Sequence, residues 1–222
     1  MKNNKTIDQL EAELKGLKAK YHIKKISQLA QKDGFQKLPV ITGVSYASSA
    51  ANIKYSDRDD VMLIECIQGS SIGGVFTRSS TRSASVLDCQ KKLKINSSNS
   101  PIAILVNSGN SNAFTGSYGE KSVSKICEAI SNELKIPINS IFTSSTGVID
   151  ETLLHEKIIK KIQELKFNLN KNSAESAARA IMTTDTFPKG AGSSFLISGC
   201  PVNIAGFAKC SGMISPDMAT ML

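Results

Sequence analysis

The sequence predicts an α/β protein built in layers. Two observations carry that expectation. Apolar runs of strand length, at residues 61–67 and 101–107, alternate with amphipathic stretches of helical period, such as residues 150–165. The composition is that of an ordinary folded chain: of 222 residues, 41% are hydrophobic and 21% charged, enough to bury a real core.

The elements follow in order. Ile7, Leu10, Leu14 and Leu17 recur at helical spacing, which predicts a helix over 7–31 that Asp33-Gly34 terminates. Residues 1–35 therefore read as a helical extension that packs on the core or on a partner. Residues 61–67, bounded by Asp59-Asp60 and Gly69, read as a buried strand, and Gly73-Gly74-Val75-Phe76-Thr77 as a turn entering another. The run 101–107 is the clearest buried strand and leads into a polar loop, Ser108-Gly109-Asn110-Ser111-Asn112, then a helix over 118–134. Ile141-Phe142-Thr143 is a short strand feeding the loop Ser144-Ser145-Thr146-Gly147. Asp150 is placed to cap the next helix, whose apolar stripe is Leu154, Ile158, Ile162 and Leu165. A third helix is expected over 173–182, and strands over 194–197 and 202–208.

Several function classes are disfavoured by composition. The net charge is +8, but the lysines are dispersed along helix faces, aromatics are 5%, and no nucleic-acid motif is present. No apolar run reaches the roughly 20 residues that span a bilayer, and the basic N-terminus has no apolar signal core behind it. The expectation is a cytoplasmic protein with no membrane and no nucleic-acid partner. Five scattered cysteines and two histidines suit neither a disulfide framework nor a zinc site, so no metal is expected.

Three segments are rich in small, hydroxyl and amide side chains: 107–116, 144–149 and 182–189. Asparagine clusters favour turns and can brace a site through amide hydrogen bonds. A Thr146-Gly147 step between strand and helix points a hydroxyl and a backbone N–H at one spot, as an oxyanion hole requires. In Met182-Thr183-Thr184-Asp185-Thr186-Phe187-Pro188-Lys189 the hydroxyls and carboxylate suit either a polar substrate or a capped helix end. The tail, Ala219-Thr220-Met221-Leu222, carries a different chemistry. Cutting between Ala219 and Thr220 would make Thr220 an N-terminus whose own α-amine serves its hydroxyl as general base.

Together, 107–116, 144–149, 182–189 and 208–222, with Gly74-Val75-Phe76-Thr77-Arg78 upstream, closely resemble the glutamate N-acetyltransferase/ornithine acetyltransferase family of arginine biosynthesis. The likeness runs from about residue 36 to 222. It implies a sandwich fold similar to the DmpA-type aminopeptidases and a precursor that cuts itself at Ala219–Thr220 into α and β subunits. By the same resemblance Thr220 is the nucleophile, Thr146 and Gly147 form the oxyanion hole, and Thr183, Lys209 and Thr220 contact substrate. The implied reaction moves acetyl from N-acetyl-L-ornithine to L-glutamate without a cofactor. Some family members also take acetyl-CoA, as a substrate.

Residues 36–219 are then the α-subunit domain and 220–222 the start of a β subunit. The expected partners are that β subunit, in a heterotetramer of two α and two β chains, and amino-acid substrates; the chain alone is expected to be inactive. Cys210 and Asp150 stand where the family usually has glycine, and Asp217 where it has asparagine. Two alternatives stay open on the sequence: an N-terminal-nucleophile amidase or aminopeptidase of similar fold, and an inactive truncated subunit.

Overall fold

The computed structural model describes residues 6–20, 26–28, 30–32, 34–95, 99–211 and 222. Its centre is a four-stranded sheet of β1 (Val44–Ser49), β2 (Val61–Cys66), β3 (Ile102–Asn110) and β4 (Ile141–Val148), in that spatial order. The first three strands are antiparallel neighbours, whereas β3 and β4 run parallel. A parallel pair needs a crossover, and the helix α3 (Gly116–Leu134) lies within it. The central strands read as continuous apolar runs because both sheet faces are covered. Val61, Leu63, Ala103 and Leu105 point to one face, Met62 and Val106 to the other.

Three helices cover the first face, α3, α4 (His155–Ile159) and α5 (Ile162–Phe167), while α2 (Ala84–Ile95) flanks the edge strand β4, its Ala84 joining their core and its Cys89 and Leu93 packing with Ile102 and Phe142. Val123, Ile126 and Ile130 of α3 recur at helical spacing and pack with Ile158, Ile162 and Leu165 against Leu63, Leu105 and Ile141. Each such burial stabilises by about 1.5–3 kcal/mol. Lys92 of α2 is buried here as well, its ammonium donating to the Ile141 carbonyl at 2.8 Å and paired with Asp88 at 2.6 Å. Burial pushes the Cys127 thiol beside it up to about 11, outweighing Lys92. That thiol therefore stays protonated near neutral pH and is a poor nucleophile.

The second face carries α6 (Ala174–Ala180) and a separate hairpin of β5 (Lys189–Ile197) and β6 (Cys200–Ala208). Ala177, Ala180 and Ile181 pack on Tyr46, Met62 and Val106. The Ser108 hydroxyl donates to the Ala180 carbonyl at 2.7 Å, fixing the helix end to β3. Ser198 and Gly199 both take positive φ, as the tight turn of a two-residue hairpin needs. Phe207 meets the edge of Tyr46, with ring centroids 6.0 Å apart. At the far tip Leu196 is 70% exposed.

Some elements differ from their sequence expectations. The first helix, α1 (Ile7–Lys20), ends before residue 31; residues 21–25 lie outside the described set. Ile7, Leu10 and Leu14 are exposed. Further on, Ser27 donates its amide to Thr186 Oγ1 at 3.3 Å. A side chain at Gly190 or Gly192 would strike Phe35 or Pro39, so the glycines of β5 admit the segment around 35–39. Residues 73–77 are not a strand: among the described residues no strand pairs with them. Asp150 does not cap a helix. It occupies a turn at φ 63°, a left-handed conformation that Asp tolerates and glycine favours. The next helix begins only at His155, and Leu153 rather than Leu154 is buried.

Candidate functional site

The parallel ends of β3 and β4 build the centre of the site. Ser108 stands opposite Thr146 and Gly109 opposite Gly147, with an irregularity at Asn110. So 108–110 and 144–147, read as loops from their composition, are strand ends. The two glycines let the backbones touch. A Cβ on Gly147, whose φ is 137°, would lie 2.3 Å from the Gly109 carbonyl carbon and 2.6 Å from the Asn110 nitrogen. The three asparagines are buried braces. Asn107 Nδ2 donates to the Asn110 carbonyl at 2.8 Å, and Asn107 Oδ1 accepts from the Ser145 hydroxyl at 2.7 Å. Asn110 Oδ1 accepts from the Asn112 amide at 2.7 Å, and Asn110 Nδ2 donates to the Glu151 carbonyl at 3.0 Å. Thr146 is thus held on a framework whose polar groups are satisfied internally.

Lys209 reaches that framework from the exit of β6. Its ammonium, on a residue 6% exposed, donates to Thr146 Oγ1 at 3.1 Å, and Thr146 is 1% exposed. An ammonium has no acceptor. The Thr146 oxygen must therefore accept, and its own proton is turned elsewhere. Among the described residues no carboxylate pairs with Lys209. The Lys209 amide donates to the Leu222 carbonyl at 3.0 Å, and Leu222 packs with Tyr46, Met62 and Val106.

Thr183 is half-buried in the turn after α6. Its amide donates at 3.1 Å to Asp185, a residue 1% exposed. The other Asp185 oxygen accepts from Lys189 Nζ at 2.6 Å and from the Cys210 amide at 2.9 Å. Burial raises the Asp185 pKa, but the Lys189 hydrogen bond and charge and the two amides outweigh it and hold the carboxyl below its ordinary value. A carboxyl depressed in the fold contributes stability that is present above its unfolded pKa and lost as pH falls through the folded one. Acid unfolding should therefore carry an Asp185 component at the acid end. In Asp185→Asn the stability–pH curve below about pH 4 should flatten, as read by urea denaturation at stepped pH; an unchanged slope would contradict it.

The structure thus brings Thr146, Gly147 and Lys209 together and ties the Thr183 turn to the residue after Lys209. Ala219 and Thr220 lie outside the described residues, as does Asp217. Cys210 is not among the described residues with positive φ, so the backbone there does not demand glycine. Sequence reasoning left Asp185 undecided between substrate binding and a turn. Its pattern of local amide acceptance is a turn signature, whereas its Cys210 bond, 25 residues away, leaves no local trace. Two other features lie apart from the site. A cavity of about 190 Å³ is lined by Arg82, Phe114, Thr115 and Glu120. Ser122 of α3 bonds His155 Nδ1 at 3.0 Å, with both residues buried.

The family model described as the ArgJ family matches residues 45–222. The chain is 56% identical over 200 residues to the arginine biosynthesis bifunctional protein ArgJ of Ruegeria pomeroyi, across 90% of this chain and 48% of that protein. It is 43% identical over 185 residues to the protein of the same name from Gluconobacter oxydans, across 83% of this chain and 43% of that one. The chain spans about half the length of the curated relatives it matches, and corresponds to their N-terminal part. Among solved structures, ornithine acetyltransferase from Mycobacterium tuberculosis, complexed with ornithine, aligns with TM-score 0.72 at 27% identity over 84% of this chain and 97% of that one. The Bacillus halodurans ArgJ protein aligns with TM-score 0.71 at 30% identity over 82% and 92%. The layered α/β fold is therefore shared with them. With the family's pattern matched across most of its length and a curated relative at 56% identity, this chain belongs to the ArgJ family.

Proposed function

We propose that this chain is the α portion of an ornithine/glutamate acetyltransferase, active once joined by the C-terminal half that its relatives carry. The observation that carries the reading is the buried Lys209 ammonium on Thr146 Oγ1, beside the Gly147–Gly109 contact. It is a rigid, donor-rich spot where negative charge can develop. Further support comes from coverage. The matched stretch fills 48% of a curated relative but 92% of a solved chain, as expected if family polypeptides are divided near this point.

The chemistry runs in two stages. Thr220 Oγ attacks the Ala219 carbonyl carbon; the peptide bond becomes an ester, and water hydrolyses it to a carboxylate and a free Thr220 α-amine. That amine then accepts the Oγ proton as Oγ attacks the acetyl carbonyl of N-acetyl-L-ornithine. The Thr146 hydroxyl, its oxygen already engaged by Lys209, donates to the tetrahedral oxyanion beside Gly147. Collapse expels ornithine, whose nitrogen takes the proton back from the ammonium. The amine of L-glutamate attacks the acetyl-threonine ester and leaves as N-acetylglutamate, regenerating Thr220. Lys209 and Thr183 hold the amino-acid carboxylate and polar groups. The cycle draws on no cofactor; acetyl-CoA would enter only as an alternative acetyl donor. We place it in the cytoplasm, in a heterotetramer of two α and two β chains; no described helix is long and apolar enough to cross a membrane.

The test is to co-express the chain with its C-terminal half and follow N-acetyl-L-ornithine with and without L-glutamate. Sustained ornithine release, beyond the single turnover that acetylates Thr220, that requires glutamate and yields N-acetylglutamate is expected. Equal release in its absence would make the protein an amidase, and no release in either arm would defeat the acetyl-transfer reading. Thr146→Val should lower kcat roughly 10²–10³-fold, the measured scale for losing one oxyanion donor. A loss confined to KM would instead make Thr146 a binding residue.

A further inference from the structure

We propose that Asp185 is a positioning residue that locks the Thr183 turn to the Lys209–Cys210 turn, so that the two substrate contacts are held at one fixed separation. The inference rests on the reading above for what Thr183 and Lys209 do; the lock itself rests on geometry. A carboxylate 1% exposed receives three donors from two segments: the Thr183 amide at 3.1 Å, the Cys210 amide at 2.9 Å and Lys189 Nζ at 2.6 Å. Local turn formation needs only the first of these. Lys189 opens β5, Ala208 closes β6, and the two are paired across the hairpin. Asp185 therefore closes the open end of the hairpin, the end at which Lys209 leaves for Thr146.

Both segments are anchored beyond it. The Arg58 guanidinium donates to the Met182 carbonyl just ahead of Thr183, and to the Arg179 carbonyl at 3.2 Å. Lys209 is anchored on Thr146. Without the bridge, each turn would keep its own anchor but lose its reference to the other. Only a carboxylate serves all three donors. An asparagine offers one acceptor oxygen, and its amide nitrogen would face a donor.

The experiment has two arms. In the isotope-labelled full chain, Asp185→Asn should move the Thr183 and Cys210 amide resonances together, leaving those of β1–β2 in place. Lys189→Met keeps the carboxylate, removes its cation and should move the same two resonances by less. Movement of only one of the pair, in either variant, overturns the lock. In the second arm, Asp185→Asn is assayed with the C-terminal half present. The KM for N-acetyl-L-ornithine should rise on the order of tenfold, the loss expected when one charge-assisted hydrogen bond is removed. A purely structural role would reduce the amount of active enzyme and leave its KM unchanged, and that result overturns the positioning role. If the unsubstituted enzyme does not turn over acetylornithine, the acetyltransferase reading falls, and the paired resonances alone decide whether Asp185 is a lock.

Discussion

Replacing Gly147 with alanine is expected to break the site and much of the fold's stability at once. The new methyl would sit 2.3 Å from the Gly109 carbonyl carbon, 2.6 Å from its oxygen and 2.6 Å from the Asn110 nitrogen. All three are backbone atoms, so no rotamer change relieves the contact. The φ of 137° adds strain that L side chains rarely accept. Overpacking and backbone strain together give about 2–6 kcal/mol of destabilisation. The only relief is to part β3 from β4 at 109–110. That carries Thr146 away from Lys209 and undoes the Asn107–Ser145 and Asn110–Glu151 bonds. Acetyl transfer should fall below detection. Gly206→Ala is the matched control, because nothing lies within 4 Å of a Cβ there; it should unfold at nearly the unsubstituted denaturant midpoint. Equal midpoints for the two variants would mean that the β3–β4 contact is looser than its geometry.

The contrast explains how much of this site the sequence could disclose. The apolar cores of β2, β3 and β4 were legible because period and length are local properties. The strand ends were not. Ser108, Asn110, Ser145 and Thr146 look like loop residues by composition, yet they continue β3 and β4, because their side chains bond to backbone groups and to the side chains of Asn107 and Lys209 instead of packing. Ser108 reaches Ala180, and Thr146 meets Lys209, 63 residues away. Such pairings leave no periodic signal. Residues 73–77 are the converse: a strand-like composition that meets no strand edge among the described residues. Asp150 reads as a cap from sequence and sits in a left-handed turn, because its chemistry suits both equally well. The roles of Thr146 and Lys209 came from likeness to a family; the structure adds that they touch, and in which direction the hydrogen bond runs.

The largest chemical effect is expected at Thr220. Thr220→Ala, in the chain extended through its C-terminal half, should leave the Ala219–Thr220 bond whole and reduce acetyl transfer on the order of 10⁴–10⁶-fold, the scale on which enzymes lose rate with their nucleophile. In the proposed mechanism both losses follow from one missing oxygen, because Oγ would be the attacking atom in each stage. Neighbouring hydroxyls cannot substitute. Ser211 and Ser215 would carry no free α-amine, because the amine is created only at the residue behind the cut bond. Thr220→Ser restores an Oγ and should recover both cleavage and transfer, which separates the oxygen from the packing of the threonine methyl. Among the described residues, Lys209 donates its amide to the Leu222 carbonyl at 3.0 Å while its ammonium holds Thr146. Intact mass reads the first loss and N-acetylglutamate formation the second. Cleavage that persists in Thr220→Ala would assign the cut to another group. Transfer at full rate with the bond uncut would remove the α-amine, and with it the general base, from the mechanism.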